Sequence, residues 1–306
     1  MLIPAFTFAA VPSSVLHADC VPVLCECGDD YRINIEDFEK KLPDVDAVII
    51  SHMRGHNSDM DAIMALCDAA DVPLIEDAAH SLGTTWADRN IGKVGCFSFQ
   101  SYKLLNAGEG GIMVTDDADL IARAIIMSGA YEHNWQKHPV LHGAFAKWQN
   151  KLPLYNLRLN TLSAALIRPQ LDAIADRVKN GRRNHDHDAG ILGRCQWIVV
   201  PNALLQENRA PDSIQFNLRG MTDIQVDDFT GQAATLGLNV QIFGRSKDNA
   251  RAFWNWHFLN ENPDQPKTHE MLNRACDVRL PARLSHEEGD AVAHTILNAI
   301  DSIMDV

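Results

Sequence analysis

Between residues 46 and 116 the sequence returns again and again to short apolar runs without an alternating polar face. They are "DAVIISH" (Asp46–His52), "VPLIED" (Val72–Asp77), "GCFSFQ" (Gly95–Gln100) and "GIMVTD" (Gly111–Asp116). A strand with one wet face alternates, whereas a strand covered on both faces reads as a continuous apolar run. "VPVLCE" (Val21–Glu26) is a further β-rich run. Stretches of helical spacing lie between them: "NIEDFEKKL" (Asn34–Leu42), "SDMDAIMALCDAA" (Ser58–Ala70) and "DADLIARAIIMSG" (Asp117–Gly129). The second opens on Ser58 or Asp59 as N-cap and puts Met60, Ile63, Met64 and Cys67 on one face. This alternation predicts an α/β fold with a mostly parallel sheet covered by helices. Ligands in such sheets bind at the C-terminal strand ends. That directs attention to His52, Asp77, Gln100 to Lys103, and Asp116.

The second half reads differently. Residues 130–160 are irregular and aromatic, and a helical pattern then runs from Thr161 to Gly190, interrupted at Pro169. After it, "WIVVP", "SIQFNL" and "LNVQIF" predict short strands around a helix near Val226–Leu236, and Ser285 with Glu288 forms a capping box for a last helix. We expect a large domain over residues 1–185 and a smaller α+β domain over 186–306.

Composition narrows the function classes. The 306 residues carry a formal charge of -13, which argues against a nucleic-acid partner. No run approaches the roughly 18 apolar residues of a membrane span. The N-terminal stretch has no basic lead and is broken by Pro4 and Pro12, so it is not read as a signal peptide. Seven scattered cysteines predict reduced thiols and a cytoplasmic protein.

Asp77 ends an apolar run beside Glu76. Adjacent strand residues face opposite ways, so the two are not a paired acid/base dyad. Asp77 either caps a helix that begins at "AAHSLG" or stays ionised against a buried cation. Lys103 is either a solvated loop charge or an amine desolvated in a pocket, with a lowered pKa and a free lone pair. Ser98 lies between Phe97 and Phe99, and the turn Gly108-Glu109-Gly110-Gly111 permits close backbone approach. An aspartate, a lysine and a serine are the minimum set for pyridoxal phosphate. His52 is either a cofactor contact or a hydrogen-bonded core histidine. His185 and His187, two apart on a helix, do not share a face, so they read as surface rather than as a metal site. "RAFWNWHF" (Arg251–Phe258) reads as small-domain core or as a substrate or subunit contact.

The stretch "VPLIEDAAHSLGTTWADRNIGKVGCFSFQSYKLLNAGEGGIMVTDD" resembles the DegT/StrS family of pyridoxal-phosphate-dependent sugar aminotransferases. The family's I-E-D-A-A-[QH], G-x-x-G, F-S-F-x-x-x-K and E-G-G motifs occur here in order. The resemblance continues in "GHNSDMDAIMALC" and "YNLRLNTLSAALIRPQLDAI". It implies the fold-type I, aspartate-aminotransferase-like architecture. Lys103 would be the internal-aldimine lysine and proton shuttle. Asp77 would keep the ring nitrogen protonated, His80 would bond the phenolic oxygen, and Ser98 would bind the phosphate. Asn156 would reach the phosphate of a neighbouring subunit, which implies a homodimer with shared sites. Lys103 argues against the family's dehydratase branch, which has histidine there. Glutamate or glutamine would give its amino group to a keto sugar, nucleotide-linked in many members. A cyclitol or other ketone is the alternative acceptor, and a catalytically impaired binding or regulatory member is the alternative role. The family usually carries a sizeable segment before the position of "IPAFTF" that holds part of the phosphate. The resemblance therefore implies that half of that cradle lies outside this sequence.

Overall fold

The apolar runs pair into one sheet. In a computed structural model, residues 1–90, 94–129, 137–259 and 263–304 are described. Residues 91–93, inside the motif-bearing stretch, and residues 130–136 of the irregular stretch lie outside them. In chain order come β1 (Leu2–Pro4), α1 (Ala10–His17), β2 (Val23–Cys25), α2 (Ile35–Lys41), β3 (Val48–Ser51), α3 (Met60–Ala70) and β4 (Leu74–Asp77). There follow β5 (Thr85–Trp86), β6 (Arg89–Asn90), β7 (Val94–Ser98), β8 (Gly111–Thr115), α4 (Ala118–Met127) and α5 (His142–Trp148). The large sheet has the order β2-β1-β3-β4-β7-β8. All neighbours are parallel except β8, which returns antiparallel to β7. Asn34 caps α2 and Asp59 caps α3, each accepting a backbone N–H three residues on. α1 was not expected: it starts without a side-chain cap.

The interrupted helical pattern resolves into α6 (Thr161–Ile167), a 3-10 segment Arg168–Ala173, and α7 (Ile174–Leu192). The boundary expected near residue 185 falls inside α7. Beyond it come β9 (Ile198–Val199), β10 (Glu207–Asn208), β11 (Ser213–Leu218), α8 (Asp223–Thr235), β12 (Gln241–Ile242), α9 (Pro266–Leu272), β13 (Ala275–Arg279) and α10 (His286–Met304). The small sheet runs β12-β13-β11-β9 and is antiparallel. Ile214, Phe216, Cys276 and Val278 turn one face into a core with Val226, Phe229 and Ile296. Period-2 alternation turns Gln215, Asn217, Asp277 and Arg279 to the other face. The Ser285–Glu288 capping box is present, with Ser285 N–H donating to Glu288 at 2.8 Å.

Residues 243–275 do not pack in the small core alone. Phe243, Phe253, Trp256, Met271 and Leu272 are buried against Ile3 of β1, Phe6 just past it and Val11 of α1. "RAFWNWHF" is thus core through Phe253 and Trp256. Glu26, just past β2, fixes this seam. Its Oε2 accepts from Thr268 N–H at 2.8 Å and from Thr268 Oγ1 at 2.5 Å, and its Oε1 accepts from Lys267 N–H at 3.2 Å, all at the start of α9. The polar face of the small sheet consequently lies over the C-terminal edge of the large one: Tyr31 donates to Asn217 Oδ1 at 2.8 Å, and His56 Nε2 lies 2.8 Å from Gln215 Oε1.

Candidate active site

Asp77 and Glu76 part to opposite faces of β4. Glu76 is buried, with Oε2 2.8 Å from His52 Nε2, so His52 is a core histidine committed to Glu76. Asp77 is half-buried. Its Oδ2 accepts from Ser51 Oγ at 2.6 Å, its register partner on β3, and its Oδ1 accepts from Ala79 N–H at 3.1 Å. Each oxygen keeps a lone pair for a cation. No helix begins at "AAHSLG", which folds as turns, so Asp77 is not a helix cap; its bond to Ala79 N–H closes a turn.

After β3 the chain turns through Arg54 at φ +54° and Gly55 at φ +79°. A non-glycine residue held left-handed costs about 1–3 kcal/mol. The turn brings Arg54 N–H to 3.3 Å from His80 Nδ1, while the buried Arg54 guanidinium pairs with Asp277. An Nδ1 that accepts leaves the ring proton on Nε2. Burial, and after it the positive charges of Lys103, Arg54, Arg251 and Arg279, hold His80 well below the ordinary histidine range. His80 is thus a neutral ring that presents an Nε2–H donor.

Lys103 sits in a turn after β7, with its N–H bonded to Gln100 O at 2.9 Å. Gly110, at φ +143°, lets this loop meet the segment ahead of α6: a Cβ there would lie 2.6 Å from Leu159. Lys103 is half-buried. Burial lowers its pKa to about 8, with Asp77 and Asp212 raising it and Arg54 and Arg251 lowering it. Of the two readings, the desolvated amine is the one the fold produces. Ser98 ends β7, two residues beyond Cys96, the register partner of Asp77. Its Oγ accepts from Gln100 N–H at 3.2 Å, leaving its own proton to donate. A carboxylate acceptor, a neutral imidazole donor, a poised amine and a free hydroxyl fit the donor set that pyridoxal phosphate needs.

Asn156 is not brought to this group within one chain. It is exposed, and its Oδ1 accepts from Arg158 Nη2 at 3.1 Å. Glu109 is an exposed turn residue. His187 Nε2 lies 2.5 Å from Asp290 Oδ1, joining α7 to α10, and His185 sits 3.2 Å from Asp186. No cluster of three or more metal-ligating side chains occurs among the described residues.

Several residues at the site escape sequence reasoning. Arg279 Nη1 pairs with Asp212 at 3.0 Å, and its Nη2 donates to Tyr102 O at 2.8 Å, directly beside Lys103. Arg251 Nη1 reaches Gln241 Oε1 at 3.4 Å, and its guanidinium lies over the Phe8 and Phe243 rings. A local signal existed for Arg251, in the aromatic stretch that begins with it. Nothing local marked Ser51, Asp212 or Arg279.

The sequence pattern of the DegT/DnrJ/EryC1/StrS aminotransferase family matches residues 1–297. 3-Amino-5-hydroxybenzoate synthase of Amycolatopsis mediterranei is 26% identical over 272 residues, which is 86% of this chain and 68% of that protein. L-glutamine:2-deoxy-scyllo-inosose aminotransferase of Streptomyces fradiae is 28% identical over 252 residues, 79% of this chain and 59% of that protein. Other curated relatives are matched over about half their length, for example 50% and 46%. The crystal structure of the aminotransferase TlmJ from Streptoalloteichus hindustanus superposes with a TM-score of 0.85 at 18% identity, over 99% of this chain and 79% of that one. The helix-covered, mostly parallel sheet with its smaller C-terminal domain is thus the fold of the aminotransferases, as expected. The chain belongs to the DegT/DnrJ/EryC1/StrS aminotransferase family.

Proposed function

We propose that the chain is a pyridoxal-phosphate-dependent aminotransferase that moves an amino group from glutamate or glutamine to a keto sugar or a related cyclic ketone. The observation that carries this reading is Lys103, a half-buried amine in the turn after β7 whose pKa burial lowers to about 8, even against the opposing charges of Asp77 and Asp212. At pH 7 a pKa of 8 leaves roughly a tenth of the lysine as free amine, about 200-fold more than an unperturbed lysine. A non-catalytic binding protein has no use for that expense of desolvation.

When bound, the cofactor supplies an aldehyde for an amine and a ring that delocalises charge. The chain's own groups have separable tasks. Asp77, oriented by Ser51 and Ala79, accepts from a protonated ring nitrogen. His80 donates its Nε2–H to a ring oxygen, and Ser98 donates to phosphate. Lys103 Nζ takes and returns the proton that amino transfer moves, a task suited to a base near neutral pH. Asn156 serves the site of a second copy. The exposed Leu154, Tyr155, Leu157, Leu162 and Leu166 around it form an apolar surface of the kind that a subunit contact covers. The acceptor class rests on the relatives, whose names include a cyclitol ketone and an aminated ring acid.

The direct test incubates the chain with pyridoxal phosphate, glutamine or glutamate, and a panel of nucleotide-linked keto sugars and cyclitol ketones. Mass spectrometry should detect an aminated product with at least one pair. Tight cofactor binding without amino transfer from either donor would overturn the reading.

A further inference from the structure

Just past β10, Arg209 is only 6% exposed, yet its guanidinium finds no acceptor. Nε and Nη1 make no hydrogen bond among the described residues. Nη2 lies 3.3 Å from His56 Nε2, but that nitrogen carries a proton. Gln215 Nε2 donates to Ser213 Oγ at 2.8 Å and to Asp277 Oδ1 at 2.7 Å, so Gln215 Oε1 must accept. His56 Nε2, 2.8 Å from Gln215 Oε1, is its donor. Two donors therefore face each other at Nη2. The carboxylate closest to Arg209 is that of Glu207, and it is committed elsewhere. Its Oε1 accepts from Asn57 N–H at 2.7 Å, and its Oε2 accepts from Arg32 Nη2 at 2.6 Å and from Leu204 N–H at 3.1 Å. Arg209 Nε stays 4.0 Å from it. A buried charge without a hydrogen-bonded partner is unfavourable. Burial pushes the pKa of Arg209 down to about 10, against the charge of Glu207.

Arg209 forms part of the wall of a cavity of about 780 Å³, bounded by the second half of α7 and by the segment that carries β9 and β10. Asp77, His80, Ser98 and Lys103 are not on its walls. Arg182, Arg194, Arg209 and Arg219 line it against two carboxylates, Asp186 and Glu207, so two positive charges are in excess. Arg182 is fixed in the wall: Nε donates to Arg209 O at 2.5 Å and Nη2 to Asn208 O at 3.1 Å. Arg194 and Arg219 are exposed, so they attract an anion through a screened field and do not hold it. The excess matches a phosphate group, which carries about -1.5 to -2 at pH 7 and offers three acceptor oxygens. A single carboxylate would leave part of it uncompensated. The volume lies in the range of small-molecule sites, roughly 300–1,000 Å³, and Val200 and Pro201 add an apolar wall. We propose that this cavity is a phosphate-binding site, separate from the Lys103 site, with Arg209 as its buried anchor. The phosphate is either the free ion or the head of a small phosphomonoester whose body covers the apolar wall. The site stands without the cofactor and without the aminotransferase reading.

Calorimetric titration of the full chain without pyridoxal phosphate tests this, with inorganic phosphate, AMP and, as the uncharged control, adenosine. Phosphate or AMP should bind and adenosine should not, and the tighter of the two identifies the source. R209Q should weaken the binding at least about tenfold. S98A should leave it unchanged, because Ser98 belongs to the other site. Gly190 allows a test that spares the buried network. It is exposed on α7 at the cavity wall, and a Cβ there would meet nothing within 4 Å. G190E should weaken the binding at least about tenfold, G190Q should change it little, and G190K should tighten it. A merely structural role for Arg209 would not order these three by charge, and the order holds even if R209Q folds poorly. No binding of phosphate or AMP, equal binding of AMP and adenosine, loss of binding in S98A, a folded R209Q with the affinity of wild type, or one affinity across G190E, G190Q and G190K overturns the site.

Discussion

Ser51 and Asp77 face each other in the register of β3 and β4, and the Ser51 hydroxyl donates to Asp77 Oδ2 over 2.6 Å. The bond fixes the carboxylate proposed to meet the ring nitrogen, so its loss should be felt in cofactor affinity more than in folding. S51A removes one bond to a charged acceptor, worth about 1.5–3 kcal/mol. Fluorescence titration should show pyridoxal phosphate binding weakened about tenfold or more. D77N, which keeps the shape but removes the charge, should weaken it further. Unchanged affinity in S51A would mean that Ala79 alone positions Asp77.

Lys103 makes a prediction about stability. Its folded pKa lies below its unfolded one, near 10.4, so the unfolded chain binds the proton more tightly. Stability therefore rises as pH climbs from about 8 toward 10. Without cofactor, K103M should be more stable than wild type at pH 7, by about 1–2 kcal/mol after solvent screening. The gap should close above pH 10. Urea melts at pH 7 and pH 10 measure it, and a K103M chain no more stable than wild type at pH 7 would contradict a desolvated amine.

His80 predicts the opposite end of the pH scale. Its pKa is depressed in the fold, by burial and by the cations around it. An unfolded histidine protonates below about 6.5, so the unfolded chain takes up protons first and stability falls as pH drops through that value. His56 and His185 are depressed as well, so H80Q should remove part of the acid loss, not all of it. Melting temperatures between pH 7 and 5 should fall less steeply for H80Q. Identical slopes would mean that His80 is solvated.

Glu26 predicts a seam. It caps the start of α9 from the end of β2, more than 240 residues away in sequence, through three bonds. E26A leaves the Thr268 hydroxyl and two helix N–H groups without their acceptor and should cost about 2–4 kcal/mol. E26Q should cost less, because an amide oxygen still accepts. Denaturant midpoints measure both, and an E26A midpoint within error of wild type would show that the seam does not depend on this cap.

Much of this site was legible in the order of residues. Asp77 and Lys103 each follow an apolar run, and a buried strand leaves its next residues at the sheet's C-terminal edge. That rule needs only local sequence. Tertiary facts needed more. β13 was missed because "ACDVR" carries Asp277 and Arg279 at alternate positions, so the run reads as polar, although Cys276 and Val278 pack in the core. α1 was missed because Ala9 gives no cap and Pro12 interrupts the pattern. The arginine cluster depends on the β12–β13 register and on the seam between the sheets, and no window of sequence holds both. The tautomer of His80 depends on one backbone N–H from a left-handed Arg54, which composition does not announce.

The most direct measurement reduces the cofactor-loaded chain with borohydride and maps the peptides. The visible band that appears on adding pyridoxal phosphate should bleach, and a single pyridoxyl group should sit on Lys103. K103A should give neither the band nor the label. A label on another lysine, or a band that persists in K103A, would contradict the assignment of Lys103 as the reacting amine.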